Sequence, residues 1–329
     1  MTISDASVYI AAMIDQKNTG ILLLNLGGPE KQEDVEPFLY NLFSDRQIIR
    51  LGPALLQKPI ARVIARRRAP QSAASYRKIG GGSPIRRITD QQAQALENFL
   101  SDKGNFMVRS CMRYWHPFAA EAVRDLVNGG VEQVVALPLY PHYSIATTGS
   151  SMTDLHQTLR KYPSLSVTEI RSWPDHPLYI KCLAKRIAEG IARFGGEEVQ
   201  IVYSAHSLPK KFIIEGDPYV DEIGKTIRTV EQVTRHKGKL CYQSRSGPVE
   251  WLEPSTPDLL RQLAGEGCKN ILMVPISFVS DHVETLYEID MLYRDLAGEL
   301  GMRLESTRAL NDDPEFIEAL ASLVLDVLK

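Results

Sequence analysis

Two segments of this 329-residue chain carry side chains that could bind a metal ion or move a proton. His206 directly follows the apolar run 199–204, which predicts a strand, so it should lie at the carboxyl end of that strand. A neutral imidazole there could accept a proton near neutral pH or bind a divalent ion. A capping or core histidine with a satisfied hydrogen bond is the other interpretation, and position alone does not separate the two.

The second segment begins at Asp281 and His282, again after a buried apolar run, and continues through Glu284 to Glu288. On an α-helix, Asp281, Glu284 and Glu288 fall at i, i+3 and i+7, so we expect them to share one face. Carboxylate oxygens beside an imidazole suit a divalent first-row ion. Acidic residues are also favoured in the first turn of any helix, so simple capping on a solvated face is an open alternative.

Two further segments are weaker indications of a binding site. The glycine-rich stretch 79–84 would let the backbone approach a flat or anionic ligand, although glycine-rich turns are common. Segment 55–68 combines an apolar face with a cluster of arginines, which predicts a membrane-surface helix or a lid over an apolar ligand. An ordinary surface helix is the alternative. No aromatic–basic platform accompanies the arginines, so nucleic-acid binding is not expected.

The elements that must position these side chains follow from the hydrophobic pattern. Short apolar runs alternate with amphipathic stretches, which predicts parallel sheets covered by helices on both faces. The predicted strands are 20–26, 106–112, 131–139, 166–171, 199–204, 238–243, 270–276 and 302–306. Helical patterns include 118–129, 177–194, 217–236, 255–266, 282–299 and 313–328.

The chain also repeats its own strand pattern. The matching pairs are GILLLNLGGP (20–29) with VQIVYSAHSLP (199–209), VRSCMRYWHP (108–117) with LCYQSRSGP (240–248), and GVEQVVALPLYPHYS (130–144) with GCKNILMVPISFVSD (267–281). Three matches in one order predict two similar doubly wound α/β lobes, divided near residue 170, with a ligand cleft at the carboxyl ends of their strands. The polar or aromatic residues at that edge are Asn25, Arg113, Tyr140, His206, Ser244 and Phe278.

Composition narrows the class of protein. The chain is 44% hydrophobic and 24% charged with a formal net charge of -2, so no global field recruits nucleic acid or an anionic membrane. Its four cysteines form no CxxC pair, which argues against a zinc ribbon, an iron–sulfur site or a disulfide framework. The N-terminus lacks the basic region of a signal peptide, and no apolar run approaches the ~20 residues of a membrane span. We therefore expect a cytoplasmic protein with buried, reduced thiols.

Taken together, the motifs resemble those of the ferrochelatase family. They are NLGGPE (25–30) followed by DVEPFLYNLF, YRKIGGGSPIRRIT (76–89), MRYWHP (112–117), LPLYPHYS and ATTGSS (137–151), SAHSLP (204–209), GDPY (216–219), YQSRSGPVEWLEP (242–254) and VPISFVSDHVETLYEID (274–290). The resemblance runs from about residue 20 to the end of the sequence. It implies two Rossmann-like lobes with parallel four-stranded sheets and a porphyrin cleft between them. The implied reaction is insertion of ferrous iron into protoporphyrin IX, the last step of heme synthesis.

The resemblance also implies roles for individual residues. His206 matches a histidine that faces the porphyrin centre, and Glu284 matches its carboxylate partner across the macrocycle. His282 and Glu288 match neighbours on the same helix, which carries a π-bulge in the family, and these four residues would handle the metal. His176 matches a second histidine linked to proton handling in some members. Substrate contacts are implied for Leu26, Arg68, Tyr76, Ser83, Arg113, Ser244, Trp251 and Phe278. Whether His206 or Glu284 is the base, and which escorts the metal, stays open.

The family also implies a domain organisation and a set of ligands. The implied parts are an N-terminal extension (1–19), a first lobe with a porphyrin lid (20–170), a second lobe with the metal site (171–310) and a C-terminal helix that packs back on the lobes (311–329). Iron is a substrate, and no tightly bound cofactor is implied. Relatives with a [2Fe–2S] cluster use a cysteine-rich C-terminal tail and an internal cysteine, where this chain has Ile145, so no cluster is expected. Ser322 replaces an aspartate of some members, which weakens a proton relay through His176.

Two other functions stay open on the sequence alone. One is a chelatase for another tetrapyrrole, coproporphyrin III or sirohydrochlorin. The other is a non-catalytic porphyrin- or heme-binding protein, which would not need His206 and Glu284 together. The implied partners are protoporphyrin IX and ferrous iron, with the 48–68 region as a candidate for peripheral membrane contact. The sequence does not indicate an oligomeric state.

Overall fold

The structure is a computed structural model that describes residues 18–245, 247 and 249–329. Most of the expected N-terminal extension, residues 1–17, lies outside the described residues. Asn18 Nδ2 donates a hydrogen bond to Gly130 O (3.1 Å), and the first strand begins at the next residue.

The strands of the described residues form two four-stranded parallel sheets. The first contains β1 (Thr19–Asn25), β2 (Phe106–Met112), β3 (Gln133–Pro138) and β4 (Ser166–Glu169), in the order β2-β1-β3-β4. The second contains β5 (Gln200–His206), β6 (Gly238–Gln243), β7 (Asn270–Pro275) and β8 (Arg303–Ser306), in the order β6-β5-β7-β8. The two orders are equivalent, which confirms the predicted α/β fold and the internal repeat. We call each sheet with its helices a lobe.

Helices cover the sheets and form an additional layer. The α-helices are α1 (Val35–Ser44), α2 (Gln57–Lys78), α3 (Ile85–Leu100), α4 (Ala119–Asn128), α5 (Ser150–Leu159), α6 (Pro177–Ala192), α7 (Lys210–Ile214), α8 (Tyr219–Thr234), α9 (Thr256–Gly265), α10 (Arg294–Glu299) and α11 (Pro314–Val327). A first π-helix spans Ile145–Gly149 and a second spans Glu284–Tyr293. Among the described helices, none combines the length and the apolar character that crossing a bilayer requires.

One apolar cluster runs through both lobes. All seven residues of β1 are buried, as a strand covered by helices on both faces requires. The cluster joins Leu23 and Leu96 of the first lobe to Tyr203 and Val274 of the second, and it includes Phe316 of α11. Helix α11 packs against both α3 and α6. The shared core therefore holds the sheets in a fixed relation, which any site between them needs.

Helices α1 and α2 form a lid with its own apolar cluster. Phe38 and Ala61 lie in this cluster with Tyr76, near the end of α2. Val283, directly before the second π-helix, packs against the same cluster, and Lys78 Nζ lies 5.0 Å from the centre of the Tyr287 ring. The lid is thus in contact with the helix that carries the predicted metal residues.

The glycines of the IGGGSP motif allow two loops to meet. A Cβ at Gly82 would lie 2.0 Å from the backbone oxygen of Glu30, so no larger residue fits without moving the chain. Ser83 N donates to Pro29 O (2.7 Å), which joins this loop to the NLGGPE segment. The sequence predicts a close backbone approach to a ligand at this stretch. In the structure, the close approach is between two segments of the protein.

A buried histidine between the lobes should make the fold sensitive to acid. His142 is buried, and its Nε2 donates a hydrogen bond to Thr226 Oγ1 (2.7 Å). The Thr226 hydroxyl in turn donates to Pro174 O (2.6 Å). Burial lowers the pKa of His142 to about 3, whereas an unfolded histidine titrates near ~6.5. Between these two values the unfolded chain binds a proton that the folded chain does not. Falling pH therefore favours unfolding in this window.

We expect His142→Gln to lose less stability than the unsubstituted protein on acidification. Glutamine can still donate an N–H to Thr226 and cannot titrate. The difference in free energy of unfolding between the variant and the unsubstituted protein should grow by ~1.4 kcal/mol for each pH unit below about 6.5. Urea denaturation at neutral pH and at mildly acidic pH measures this difference. The same pH dependence in both proteins would contradict the role of His142.

Candidate active site

His206 ends β5 at the place where the strand connections of the second sheet diverge. In the order β6-β5-β7-β8, the chain leaves β5 toward β6 on one side, while β7 on the other side continues to β8. Such switch points form crevices at the carboxyl edge of a sheet. The backbone of His206 is held on both sides, because its N–H donates to Ser277 Oγ (3.0 Å) and its carbonyl accepts from Tyr219 OH (3.0 Å).

His206 and Glu284 are in direct contact. His206 Nδ1 donates to Glu284 Oε2 (2.9 Å), and Gln243 Nε2 donates to the same oxygen (3.2 Å). The His206 side chain is 33% exposed and that of Glu284 is 12% exposed. This contact leaves Nε2 as the His206 nitrogen available to a ligand. A distance of 2.9 Å does not agree with a macrocycle lying between these two residues, so both lie on the same side of a flat ligand.

His206 and Glu284 each shift the pKa of the other toward its charged form. Burial lowers the pKa of His206, but the carboxylate of Glu284 raises it by more, so the pKa lies above its ordinary value. Burial raises the pKa of Glu284, but His206 and His282 lower it by more, so the pKa lies below its ordinary value. Burial and the charge of Glu284 raise the pKa of Glu288 to about 7. Each member of the pair therefore favours the charged form of the other, and His206 in its neutral form keeps its proton on Nδ1 and its lone pair on Nε2. The carboxyl group of Glu288 beside them is partly protonated near neutral pH.

His282 presents an unprotonated nitrogen to the same carboxylate. Its Nδ1 donates to Ser280 O (3.0 Å), so Nε2 carries the lone pair. That Nε2 is buried without a hydrogen-bond partner and lies 4.0 Å from Glu284 Oε2. Burial lowers the pKa of His282, which keeps the ring neutral. A neutral imidazole nitrogen beside a carboxylate oxygen is a suitable donor pair for a divalent first-row ion.

The π-helical geometry places Glu284, Glu288 and Tyr293 on one face. Glu288 Oε2 accepts hydrogen bonds from Ser244 Oγ (2.6 Å) and Tyr293 OH (3.4 Å). In an α-helix, residues nine apart lie on opposite faces, whereas the wider turn of a π-helix brings them together. For this reason, α-helical spacing does not indicate Tyr293 as a neighbour of Glu284. The sequence does contain a signal for Gln243, because this residue ends β6 and directly precedes Ser244, a predicted edge residue.

The prediction that Asp281 shares this face is wrong. Asp281 accepts hydrogen bonds from Thr285 Oγ1 (3.1 Å) and Asn311 Nδ2 (2.8 Å), and it lines a cavity of about 470 Å³ on the other side of the second π-helix. Asp281 precedes the helix, and the helix is not α, so the i, i+3, i+7 rule does not apply. Neither His206 nor Glu284 lines that cavity. The donor atoms of Glu284 and His282 instead converge beside His206.

Apolar and aromatic side chains surround the pair. The Phe278 ring lies 6.1 Å from the His206 ring and 4.1 Å from the His282 ring, measured between centroids. Burial and the charge of Glu284 raise the pKa of Tyr76, which places this lid residue near the carboxylate. Trp251 forms an isolated β-bridge with Pro209, three residues after His206. The indole N–H of Trp251 is buried and has no hydrogen-bond partner.

The other predicted substrate contacts lie in the first lobe and the lid. Leu26 follows β1 and packs against the lid cluster. The guanidinium of Arg68 lies 5.5 Å from the centre of the Phe43 ring, and Ser83 packs against Gly28. For Leu26 and Ser83, the described residues show no hydrogen bond to His206 or Glu284.

Arg113 is anchored within the first lobe. It donates to Asp45 Oδ2 (2.8 Å) and to Ser150 Oγ (2.7 Å), and Asp154 lies 3.8 Å away. Burial raises the pKa of Asp45, but hydrogen bonds and the charge of Arg113 lower it by more, so this carboxylate stays ionised. The sequence does not indicate Asp45 and Ser150 as partners of Arg113. They lie 68 and 37 residues from it, and no local spacing connects them.

His176 is not brought to the pair. It precedes α6, where burial lowers its pKa and the charges of Asp326 and Asp175 raise it by less. Asp326 stands four residues beyond Ser322 in α11. A carboxylate thus acts on His176 even though serine occupies the position of the family's aspartate.

Cys111, Cys182, Cys241 and Cys268 carry free thiols. Cys111, Cys182 and Cys241 are buried and free, as predicted, whereas Cys268 is partly exposed. Within the described residues, no three His, Cys, Asp or Glu side chains are arranged to hold a metal ion together. The residues near His206 therefore form a donor pair and its neighbours, without a closed cage.

Comparison with known proteins identifies the family. The ferrochelatase family model matches residues 18–328. The chain is 61% identical over 309 residues to a ferrochelatase of Desulfotalea psychrophila, covering 94% of this chain and 97% of that protein. It is 51% identical over 312 residues to a ferrochelatase of Geotalea uraniireducens, with coverage of 94% and 97%.

Solved structures share the two-lobed fold. The sirohydrochlorin chelatase SirB from Bacillus subtilis subspecies spizizenii, in complex with cobalt, has a TM-score of 0.53 at 11% identity and covers 94% of this chain and 95% of its own. CbiX, from siroheme synthesis in denitrifying bacteria, has a TM-score of 0.52 at 12% identity, with coverage of 95% and 100%. Identities this low show the fold alone. The family model and the close relatives, which span nearly the whole chain, show that it belongs to the ferrochelatase family.

Proposed function

We propose that this protein inserts ferrous iron into protoporphyrin IX, and that the reaction takes place beside His206 and Glu284. The observation that supports this site is their direct contact at 2.9 Å, at the switch point of the second sheet. The substrate is inferred from the family, whose named relatives are ferrochelatases.

The proposed base is His206. Iron enters a porphyrin only after two pyrrole protons leave. In its neutral form, His206 can accept them one after the other at Nε2 and release each to solvent, since its side chain is 33% exposed. The Glu284 carboxylate makes the ring more basic and stabilises the imidazolium that forms. Phe278 and Trp251 on this side, with Leu26 expected on the other, would press the macrocycle out of plane, so that binding energy is used to strain the ring.

The proposed metal escort is the pair of Glu284 and His282. Their donor atoms lie 4.0 Å apart, close enough for one ion to contact both. A substrate ion must be released into the ring, and two ligands hold it less firmly than a closed site would. Glu288, on the same helix face, is the proposed preceding contact. No resident cofactor is needed for these steps.

Porphyrin fluorescence tests the proposal. Protein mixed with protoporphyrin IX and zinc should convert the emission to that of the metalloporphyrin over time, at a rate proportional to protein concentration. Ferrous iron under anaerobic conditions should remove the emission. A signal that only saturates at one porphyrin per protein would indicate a binding protein instead. Faster turnover with coproporphyrin III or sirohydrochlorin would identify that tetrapyrrole as the substrate instead of protoporphyrin IX.

We further propose that the lid touches the membrane surface from the cytoplasmic side. Leu55 is 92% exposed and Leu56 49%, both in the turn that leads directly into α2 of the lid, and Val63 on α2 is 51% exposed. Lys58 and Arg62 are exposed in the same segment. Exposed apolar side chains beside basic ones are typical of interfacial contact with anionic lipid. An apolar substrate would reach the cleft more directly from such a surface.

Leu55→Ser is expected to weaken binding to vesicles that contain anionic phospholipid. Burying one leucine is worth about 1.5–3 kcal/mol, so the partition constant should fall roughly tenfold or more. Vesicle cosedimentation measures this change. Ile214→Ser is the matched control, because Ile214 is 84% exposed on α7, outside the lid. Equal losses in both variants would argue against a specific role of the lid.

A further inference from the structure

The side chain of Asp217 joins the two lobes. Its Oδ2 accepts hydrogen bonds from Ser144 Oγ (2.9 Å) and Ile145 N (2.8 Å), at the start of the first π-helix. Its Oδ1 accepts one from Tyr219 N (3.0 Å), at the start of α8. Hydrogen bonds to a carboxylate are stronger than those between neutral groups. Asp217 therefore holds a loop of the first lobe against a helix of the second.

Helix α8 extends this contact along the same loop. Glu222 Oε2 accepts from Tyr143 N (2.7 Å), and Thr226 Oγ1 accepts from His142 Nε2 (2.7 Å). Glu222 and Thr226 are four residues apart and so lie on one face of the helix. With Asp217, they hold residues 142–145 through four consecutive positions.

Tyr219 connects this contact to the active site. Its hydroxyl donates to the backbone oxygen of His206 (3.0 Å), and the residue is buried. Its ring meets the His142 ring edge-on, with centroids 6.2 Å apart and an interplanar angle of 88°. Burial raises the pKa of Tyr219, so its hydroxyl keeps the proton that it donates.

We infer that Tyr219 is a positioning residue for His206, and that Asp217, through its hydrogen bonds to the first lobe, sets the position of Tyr219. The inference rests on the proposed function, because it assigns Tyr219 a role in metal insertion. The porphyrin has to fit between a wall of the first lobe and the imidazole of the second. Hydrogen bonds between the lobes fix that separation, and small misplacements of a reacting group are costly in rate.

Tyr219→Phe tests the first part of the inference, because it removes one hydroxyl and keeps the ring. The kcat for zinc insertion into protoporphyrin IX should fall roughly 3- to 10-fold, the worth of one neutral hydrogen bond, while the porphyrin Kd changes by less than about twofold. Tyr203→Phe is the matched control. Tyr203 lies on β5 with His206, and its buried hydroxyl has no hydrogen-bond partner, so kcat should not change.

A double-mutant cycle tests the second part. Asp217→Asn should also lower kcat, and the double variant should be little slower than Tyr219→Phe alone, because both act through one contact. If Asp217→Asn does not fold, Ser144→Ala removes a donor of the same contact and takes its place.

The outcomes separate the inference from the proposed function. A Tyr219→Phe variant with a lower melting temperature and an unchanged kcat would overturn the role of Tyr219. Additive effects in the double variant would overturn the link to Asp217. An unsubstituted protein that inserts no metal would instead overturn the proposed function.

Discussion

His206→Ala is expected to abolish metal insertion while porphyrin still binds. A positioned base contributes roughly 100- to 10,000-fold to a rate, and the variant retains no group at this position that can accept the pyrrole proton. The apolar walls around Phe278 and Trp251 are untouched, so the porphyrin Kd should change little. Stopped-flow fluorescence with zinc measures insertion, and equilibrium titration without metal measures binding.

The control for this variant is His156→Ala. His156 is an exposed histidine paired with Glu169 in the first lobe, so its loss should leave kcat unchanged. In His206→Ala, Glu284 loses its main partner, and its pKa should rise accordingly. Near-ultraviolet circular dichroism checks that the variant keeps its packing. Full activity in a folded His206→Ala protein would remove this residue from the mechanism.

The fold could be predicted because its signals are local and repeated. Strands that are covered on both faces are continuous apolar runs, and β1 shows this over its whole length. The same strand order in both sheets follows from three matched segments. The position of His206 at a strand end was predictable for the same reason. Its contact with Glu284 spans 78 residues and was reached only through the resemblance to a family.

The parts that could not be predicted depend on helix period and on distant partners. α-Helical spacing predicts a face that includes Asp281, but the helix is π-helical and places Tyr293 on that face instead. The hydrogen bond between Arg113 and Asp45 crosses 68 residues without any pattern. The glycine-rich sequence around Gly82 predicts a loop that approaches a ligand. In the structure, Gly82 instead leaves room for the backbone of Glu30.

The internal repeat extends to the two π-helices, and it separates their roles. Each begins a few residues after the third strand of its lobe, β3 or β7. The second carries Glu284 into the site. The first begins at the loop that Asp217 holds, and it leads into Ser150, which binds Arg113. One copy of the motif thus carries Glu284, a residue of the proposed site, whereas the other provides the contact between the lobes.

Glu284→Gln should lower insertion by at least roughly 100-fold and should also shift its pH dependence. The substitution keeps the shape of the side chain and removes the charge that binds the ion and raises the pKa of His206. In the unsubstituted protein the rate should rise with pH as His206 loses its proton, with an inflection above ~6.5. Without the carboxylate, burial dominates and lowers the pKa of His206, so the inflection of the remaining activity should move to lower pH.

Glu253→Gln is the matched control for the charge. Glu253 is exposed and pairs with Lys210 (3.0 Å), so neither kcat nor the inflection should change. The two readouts of Glu284→Gln report different functions of one carboxylate. A lower kcat with an unmoved inflection would mean that Glu284 acts on the ion alone, and that another group sets the basicity of His206. A shifted inflection with an unchanged maximal rate would mean the reverse, and the ion would then need a different escort. Only the joint change agrees with one carboxylate that serves both the proton and the metal.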